Sequence, residues 1–333
     1  MADADIKGLK ERFEQDGYLR IEGFASLEEC DKMKQRMHDL IAKWDPEQTL
    51  APVFATDGSQ EKLQGNSDYF LDSANKIHFF LEKDAAGADG RLRPEISKTR
   101  SLNKVGHGLH VIDDVFREYS YSSKVVDLVQ ALGYTDPVLP QSMYIFKQPS
   151  IGGEVTSHQD SCFLHTTPRE TCLGLWLALD AATLTNGCLW ARPASHKEPV
   201  RRLFQRNSKY FEEGDKTACK LLFESIDAES EAMSWEGKLP PGSEPPSKGL
   251  QDTGFVPLEC ARGDLVVIHG QVDHLSLANT SDASRETYQL HLVEGPKAGI
   301  SWGDRNWLQY PDSQPFPSLA PEGCKRKREA SEL

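Results

Sequence analysis

Apolar residues recur three and four positions apart in the first part of the chain, which is the spacing of amphipathic helices. Residues 6–13 follow this spacing, and Gly17 then suits a left-handed C-terminal cap. Ser26, with a glutamate three positions later, forms a capping box that opens a second helix. A third helical pattern covers 124–132. The spacing therefore predicts a helical flank over residues 1–135.

After residue 137 the pattern changes to the alternation typical of strands. In 173–179 the leucines at odd positions face one way, while Gly174, Trp176 and Ala178 face the other. The predicted strands are 142–147, 154–160, 171–180, 187–192, 255–259, 264–269 and 286–293. Many short strands behind a helical flank predict a mostly β sandwich or barrel with its core at 137–310. We expect one domain over residues 1–320.

Two segments fall outside this pattern. Residues 201–254 interrupt the strands with charged residues and a proline-rich run, and we interpret them as either a lid over the barrel mouth or a disordered insertion. Residues 321–333 read as a basic disordered tail. Its run Lys325–Arg328 could be a nuclear-import signal, although a solvated tail is the simpler interpretation. The last three residues are not a peroxisomal Ser-Lys-Leu signal.

The charge balance restricts the partners. The chain has 333 residues with 38 Lys and Arg against 51 Asp and Glu, so its formal net charge is −13. This sign disfavours nucleic acid and anionic membranes as main partners. There is no long apolar run and no secretory signal, and the seven cysteines form no C-x-x-C pair. We expect a cytoplasmic protein that acts on a small molecule, with an oligomeric state that the sequence does not reveal.

The strand 154–160 carries the sharpest chemical feature, His158-Gln159-Asp160. On an extended strand these first and third side chains point to the same face and can converge on one ion. Two histidines and one carboxylate on one face of a metal are typical of non-haem Fe(II) oxygenases. His196-Lys197-Glu198 has similar spacing but lies between two prolines, so we interpret His196 as a solvated loop histidine.

The second histidine must come from a distant strand, and the spacing leaves two candidates, His269 and His274. His269 ends an apolar strand, where a core histidine is the simpler interpretation. His274 follows a turn and precedes Arg285 by eleven residues. An arginine near the metal could hold the far carboxylate of a co-substrate such as 2-oxoglutarate. A zinc site would accept the same metal ligands but gives no reason for the arginine.

Several motifs together resemble the phytanoyl-CoA dioxygenase family. They are Gln141–Pro149, Gly152–Val155 and His158–Asp160, with Asn103–His107, Asn186–Trp190 and Asn306–Gln309. The resemblance extends over roughly residues 10 to 310. It implies a double-stranded β-helix, the jelly-roll of cupin-like proteins. It also implies Fe(II), 2-oxoglutarate as co-substrate, O2, supportive ascorbate, and hydroxylation of a small organic or acyl substrate with release of succinate and CO2.

The resemblance also assigns residues. His158, Asp160 and His274 match the family's iron ligands, and Arg285 matches the arginine that pairs with the far carboxylate of 2-oxoglutarate. The co-substrate pocket is implied for four further positions: Lys104, Met143, Trp176 and Ser276.

The chain departs from this family at two places. Ala194 stands where glycine is more usual, and 201–254 is longer. If an acyl-CoA is the substrate, its phosphates could meet Arg201, Arg202 and Arg206. The alternative function is a catalytically silent protein that binds the metal and 2-oxoglutarate on the same fold.

Overall fold

The computed structural model describes residues 3–47, 51–56, 64–87, 91–226, 235–244 and 248–319. The predicted tail 321–333, including Lys325–Arg328, lies outside these residues. Among the described helices, none is long and apolar enough to cross a membrane.

The helical flank forms largely as predicted. The α-helices are α1 Asp3–Asp16, α2 Leu27–Lys43, α3 Asp68–Asp72, α4 Leu109–Ile112, α5 Asp114–Ser120, α6 Ser123–Ala131 and, inside the insertion, α7 Ser208–Phe211. Short 3-10 turns include Asp160–Cys162, Ser195–Lys197 and Lys248–Thr253. The sequence pattern did not predict α3, α4 or α5, which are too short to show a helical period.

The caps explain where the first two long helices begin and end. Gly17 follows α1 with φ +81°, a backbone conformation that glycine adopts without steric cost. At the start of α2, the Ser26 hydroxyl accepts a hydrogen bond from the Glu29 amide (3.1 Å), and the Glu29 carboxylate accepts one from the Ser26 amide (2.8 Å). This confirms the predicted capping box. The buried face of α2 carries Cys30, Met33, Met37 and Ile41.

The strands form two principal antiparallel sheets. The strands are β1 Tyr18–Ile21, β2 Ile77–Leu81, β3 Leu102–His107, β4 Pro137–Lys147, β5 Val155–His158, β6 Thr166–Thr167, β7 Leu173–Ala178, β8 Leu189–Ala191, β9 Arg202–Arg206, β10 Leu221–Ser225, β11 Val256–Leu258, β12 Leu265–His269, β13 His274–Ser276, β14 Arg285–Glu294 and β15 Ser301–Trp302. The major sheet has the order β1-β12-β7-β14-β4-β3-β2, and the minor sheet has the order β11-β8-β13-β5. The pattern missed β2 and β3, which lie inside the predicted helical flank.

The alternation in β7 separates two cores. Leu173, Leu175 and Leu177 pack with the helical flank on the outer face of the major sheet. Trp176 and Ala178 pack against the minor sheet. This arrangement confirms the predicted parity and leaves the inner faces of the two sheets opposed to each other.

The insertion 201–254 is ordered where the structure describes it. Strands β9 and β10 pair as an antiparallel hairpin, and its Phe204 contacts Phe163 of the core at a ring distance of 5.7 Å. The predicted strand 154–160 is shorter than expected, because it ends at His158 and a 3-10 turn begins at Asp160.

Candidate metal and co-substrate site

A cavity of about 160 Å³ lies between the inner faces of the two sheets. It is lined by every side chain that the sequence assigned to the site, namely Lys104, Met143, His158, Asp160, Trp176, His274, Ser276 and Arg285. The major sheet contributes residues of β3, β4, β7 and β14, and the minor sheet contributes residues of β5 and β13, with Asp160 in the turn after β5. The fold therefore brings together residues separated by up to 181 positions.

Three side chains form a compact metal-type cluster in this cavity. His158 ends β5 and His274 begins β13, and the two residues are direct partners across the antiparallel pair. Asp160 Oδ1 lies 3.6 Å from Nε2 of each histidine. Gln159 is extended between them (φ −110°, ψ 130°), so the two side chains still share a face although the strand has ended. The ligand atoms of all three lie within 4.8 Å of one another.

Hydrogen bonds orient both imidazoles towards this cluster. Nδ1 of His158 lies 2.8 Å from the carbonyl oxygen of Thr156, and Nδ1 of His274 lies 3.0 Å from that of Val272. A carbonyl only accepts, so each Nδ1 carries the proton and each Nε2 keeps its lone pair. This tautomer and this kind of outer partner are typical of metal-binding histidines.

His291 of β14 holds the carboxylate. Its Nε2 lies 3.1 Å from Asp160 Oδ2, and its Nδ1 lies 3.1 Å from Nε2 of Gln141. Because the Gln141 amide donates to Nδ1, the ring proton is on Nε2 and His291 donates to Asp160. Oδ2 is therefore occupied, and Oδ1 faces the two ligand histidines. Gly174 makes room for this contact, since a Cβ there would lie 3.2 Å from Oδ2.

The neighbouring imidazoles keep the carboxylate ionised. Burial by itself would raise the pKa of Asp160, but the electrostatic effect of the surrounding histidines and the hydrogen bond from His291 hold that pKa well below its usual value. Burial and the neighbouring His158 lower the pKa of His274 to about 4. An anionic carboxylate beside a neutral imidazole is the form in which these groups bind a divalent metal.

Arg285 is a buried cation that contacts no carboxylate in the part of the chain that the structure describes. It is 2% exposed, and its NH1 donates to the Gly187 carbonyl oxygen at 3.0 Å. Its Nε has no hydrogen-bond partner among the described residues, and its Cζ lies 5.3 Å from the Trp176 ring. Burial lowers the pKa of Arg285 to about 10. A buried guanidinium with an unused Nε–H donor fits an anionic ligand, because the anion would supply both the missing acceptor and the balancing charge.

The other predicted pocket residues surround this arginine and the metal cluster. The Ser276 hydroxyl donates to the same Gly187 carbonyl oxygen at 3.0 Å. Lys104 Nζ lies 3.1 Å from His107 Nε2 and 3.8 Å from Met143 Sδ, and it stands 3.4 Å from the centre of the Phe54 ring. Burial lowers the pKa of Lys104 well below its usual value.

The structure selects between the two distal histidines. His269 Nδ1 accepts a hydrogen bond from the Gln271 amide at 3.2 Å, and its ring packs beside Phe13 and His196. It does not line the cavity, whereas His274 does. His196 sits in the 3-10 turn Ser195–Lys197, also away from the metal cluster.

The three arginines considered for acyl-CoA phosphates are occupied. Arg201 is 3% exposed and contacts the carboxylates of Asp273, Glu236 and Glu198. Arg202 pairs with Glu236, and Arg206 donates to a backbone carbonyl oxygen. The phosphate interpretation is therefore wrong for Arg201, which has no open face.

Sequence reasoning missed His291 and Gly174 and gave Gln141 no role of its own. One signal was available: residues 285, 287, 289 and 291 alternate on a strand, so His291 must share a face with Arg285. Gly174 also stood on the predicted inner face of β7. Their contact with Asp160 could not be seen, because it joins the major sheet to a turn beyond the minor one.

Comparison with known proteins identifies relatives over almost the whole chain. The family profile described as Phytanoyl-CoA dioxygenase (PhyH) matches residues 13–287. Phytanoyl-CoA dioxygenase domain-containing protein 1 of Danio rerio is 39% identical over 320 residues, covering 96% of this chain and 98% of the relative. Phytanoyl-CoA dioxygenase of Arabidopsis thaliana is 40% identical over 297 residues, covering 89% and 91%.

Solved structures share the fold at low identity. The non-heme alpha ketoglutarate dependent epimerase SnoN from nogalamycin biosynthesis aligns with a TM-score of 0.58 and 14% identity, covering 96% of this chain and 100% of that protein. EctD from S. alaskensis, solved with 2-oxoglutarate and 5-hydroxyectoine, aligns with a TM-score of 0.51 and 17% identity, covering 86% and 75%. These similarities confirm the predicted jelly-roll core.

Proposed function

Because the chain belongs to the phytanoyl-CoA dioxygenase family, we propose that it is an active Fe(II)- and 2-oxoglutarate-dependent dioxygenase. Its reaction hydroxylates a C–H bond of a small organic or acyl substrate, and O2 and 2-oxoglutarate are converted to the new hydroxyl group, succinate and CO2. One observation carries the proposal: the His158–Asp160–His274 cluster and Arg285, which has no carboxylate partner among the described residues, face the same cavity.

The metal would be held by Nε2 of His158, Nε2 of His274 and Oδ1 of Asp160. Two imidazoles and one carboxylate on one side of an octahedral ion leave positions open for co-substrate and O2. When bound, Fe(II) supplies the one-electron and O2 chemistry of the reaction. The role of the three residues is to fix the ion, and the role of His291 is to keep the Asp160 carboxylate turned towards it.

The co-substrate would be held at its far carboxylate by Arg285. The unused Nε–H can donate to that carboxylate, and the nearby Ser276 hydroxyl could do so only by turning away from the Gly187 carbonyl oxygen. The Trp176 ring packs beside the guanidinium and keeps water from it. Lys104 and Met143 lie together on another wall of the cavity, where the Lys104 amine would offer a hydrogen-bond donor to the dianion.

The substrate would enter on the side lined by aromatic rings. Phe163 and Phe204 are in edge contact there, and the Phe204 strand belongs to the insertion 201–254. Strand β9 of the insertion therefore forms part of one wall of the cavity, which supports the interpretation of the insertion as a lid. Such a wall excludes water from the reacting centre.

The first experiment measures succinate formed from 2-oxoglutarate by the purified protein with Fe(II), ascorbate and no added substrate. Turnover that is lost in Asp160→Ala and kept in His269→Ala, a histidine outside the cavity, supports a dioxygenase. Binding of 2-oxoglutarate and metal without turnover, including after a metabolite screen, favours the silent binding protein instead. Failure to bind 2-oxoglutarate would contradict the assignment of Arg285.

A further inference from the structure

A buried ionic cluster lies behind the metal ligands, outside the cavity. Its centre is Arg201, whose guanidinium contacts Asp273, Glu236 (NH2 to Oε2, 3.0 Å) and Glu198 (NH1 to Oε2, 3.4 Å). The side chains of Arg201, Asp273 and Glu236 are only 4%, 2% and 5% exposed. Arg192 adds a paired contact with Glu198, so the cluster is largely charge-balanced.

This cluster touches both ligand-bearing segments. Asp273 immediately precedes His274, and its carboxylate is one of the Arg201 partners. The backbone amide of Arg201 donates to Oε1 of Gln159, the residue between the other two ligands, at 3.3 Å. Nε2 of Gln159 in turn donates to the Gln271 carbonyl oxygen, in the turn before β13, at 3.0 Å. Arg201 is thus connected to both chain segments that carry the metal ligands, through Gln159 to the first and through Asp273 to the second.

The same arginine also holds the far part of the insertion. Glu236 belongs to segment 235–238, which lies along β5, the edge strand of the minor sheet. The Gly237 amide donates to the Ser157 carbonyl oxygen at 2.8 Å, and the Ser157 amide donates to the Lys238 carbonyl oxygen at 3.1 Å. Ser157 is the residue before His158. The insertion therefore meets the metal site twice, through this backbone pair and through Arg201.

We propose that Arg201 is a positioning residue that couples the docking of segment 235–238 to the geometry of the metal ligands. This inference rests on the proposed metal site. If either carboxylate moves away, the buried Arg201 guanidinium loses a partner that the remaining contacts do not replace, which is costly, although Asp273 keeps Arg192 and Glu236 keeps Arg202. Docking of the segment and ordering of the ligands therefore stabilise each other. By reciprocity, metal binding must strengthen docking by the same factor by which docking strengthens metal binding.

The test is a Co(II) titration of the full-length protein, followed by the visible absorption of the bound ion. Arg201→Met should weaken Co(II) binding by about tenfold, the lower end of what losing an outer partner of a metal ligand costs, because Arg201 contacts the neighbours of the ligands and not the ligands themselves. Arg36→Met is the matched control, because it removes an arginine from another buried aspartate, Asp113, far from the site. It should leave the Co(II) affinity within about threefold of the wild type.

Coupling itself is measured with Glu236→Gln, which is isosteric and sits on the insertion. It should weaken Co(II) binding in the wild type and have no further effect in the Arg201→Met background. Arg201→Lys keeps the positive charge but not the planar guanidinium with its two parallel donors, so it should keep part of the Co(II) affinity that Arg201→Met loses. Such a partial recovery would show that misfolding does not cause the loss in Arg201→Met. Co(II) should also slow hydrogen exchange at the Gly237 amide in the wild type and not in Arg201→Met.

The outcomes separate this inference from the proposed function. A wild type that binds no Co(II) contradicts the metal site and both proposals. A wild type that binds Co(II) while Arg201→Met binds it equally well overturns only the coupling. Purely additive effects of Arg201→Met and Glu236→Gln also overturn it, because they would mean that the two residues act independently.

Discussion

His291 provides the sharpest check on the candidate metal site, because it touches neither the metal position nor the substrate wall. Its only described bond to the cluster is the 3.1 Å donation to Asp160 Oδ2. Hydrogen bonds to charged groups are worth about 1.5–3 kcal/mol, which corresponds to roughly 10–150-fold in an equilibrium constant. Outer partners of metal ligands typically contribute about 10–100-fold. His291→Leu should therefore weaken divalent metal binding by about 10–100-fold.

The assay is the Co(II) titration, with circular dichroism and thermal unfolding to confirm that the variant is folded. His291→Gln is the control, because its amide can still donate towards Asp160, and it should lose much less affinity than the leucine variant. Unchanged Co(II) affinity in His291→Leu would refute the reasoning. Equal losses in the two variants would show that packing rather than the hydrogen bond is responsible.

Four further changes follow from single observations. Gly174→Ala puts a Cβ 3.2 Å from Asp160 Oδ2, so Co(II) binding should weaken several-fold in a folded protein. Ala194→Gly relieves a left-handed residue (φ +63°) and should raise the free energy of unfolding in urea by about 0.5–1 kcal/mol. Arg285→Gln should weaken 2-oxoglutarate binding by about 30-fold or more in calorimetry, with Co(II) affinity unchanged. Burial lowers the pKa of His110 to about 4. The unfolded chain takes up this proton first, so the contribution of His110 to stability, about 3 kcal/mol, should be lost from pH 6.5 towards pH 4, and the wild type should lose about that much more stability than His110→Gln over this range.

The sequence predicted the parts of the fold that depend on local pattern. The capping box at Ser26 and the alternation in β7 are properties of neighbouring residues, and both are present in the structure. Strands β2 and β3 were missed because they lie within the predicted helical flank. What makes them strands is pairing between separate segments, because β3 pairs with β4 and β2 pairs with β3.

The candidate site also has a part that local pattern predicted and a part that depends on distant contacts. The spacing of His158 and Asp160 indicated a shared face, and the resemblance to a family chose His274, which the cavity then favours over His269. Ala194 was noted where glycine is more usual, and its left-handed backbone gives the physical reason. The contacts of Arg201 could not be predicted, because they join three segments whose order in space is set only by the folded sheets.

Two residues of the candidate site lie on strand β14, so their positions depend on the register of that strand against its neighbours. Arg285 and His291 are six residues apart on its inner face, so a single strand points one side chain at the co-substrate end and the other at Asp160. Pairing with β4 is regular from Arg285 to His291, and the register shifts only between His291 and Val293. A one-residue slip inside the regular stretch would turn both side chains out of the cavity at once. The irregularity is tolerated where it occurs because the last functional side chain has already been placed.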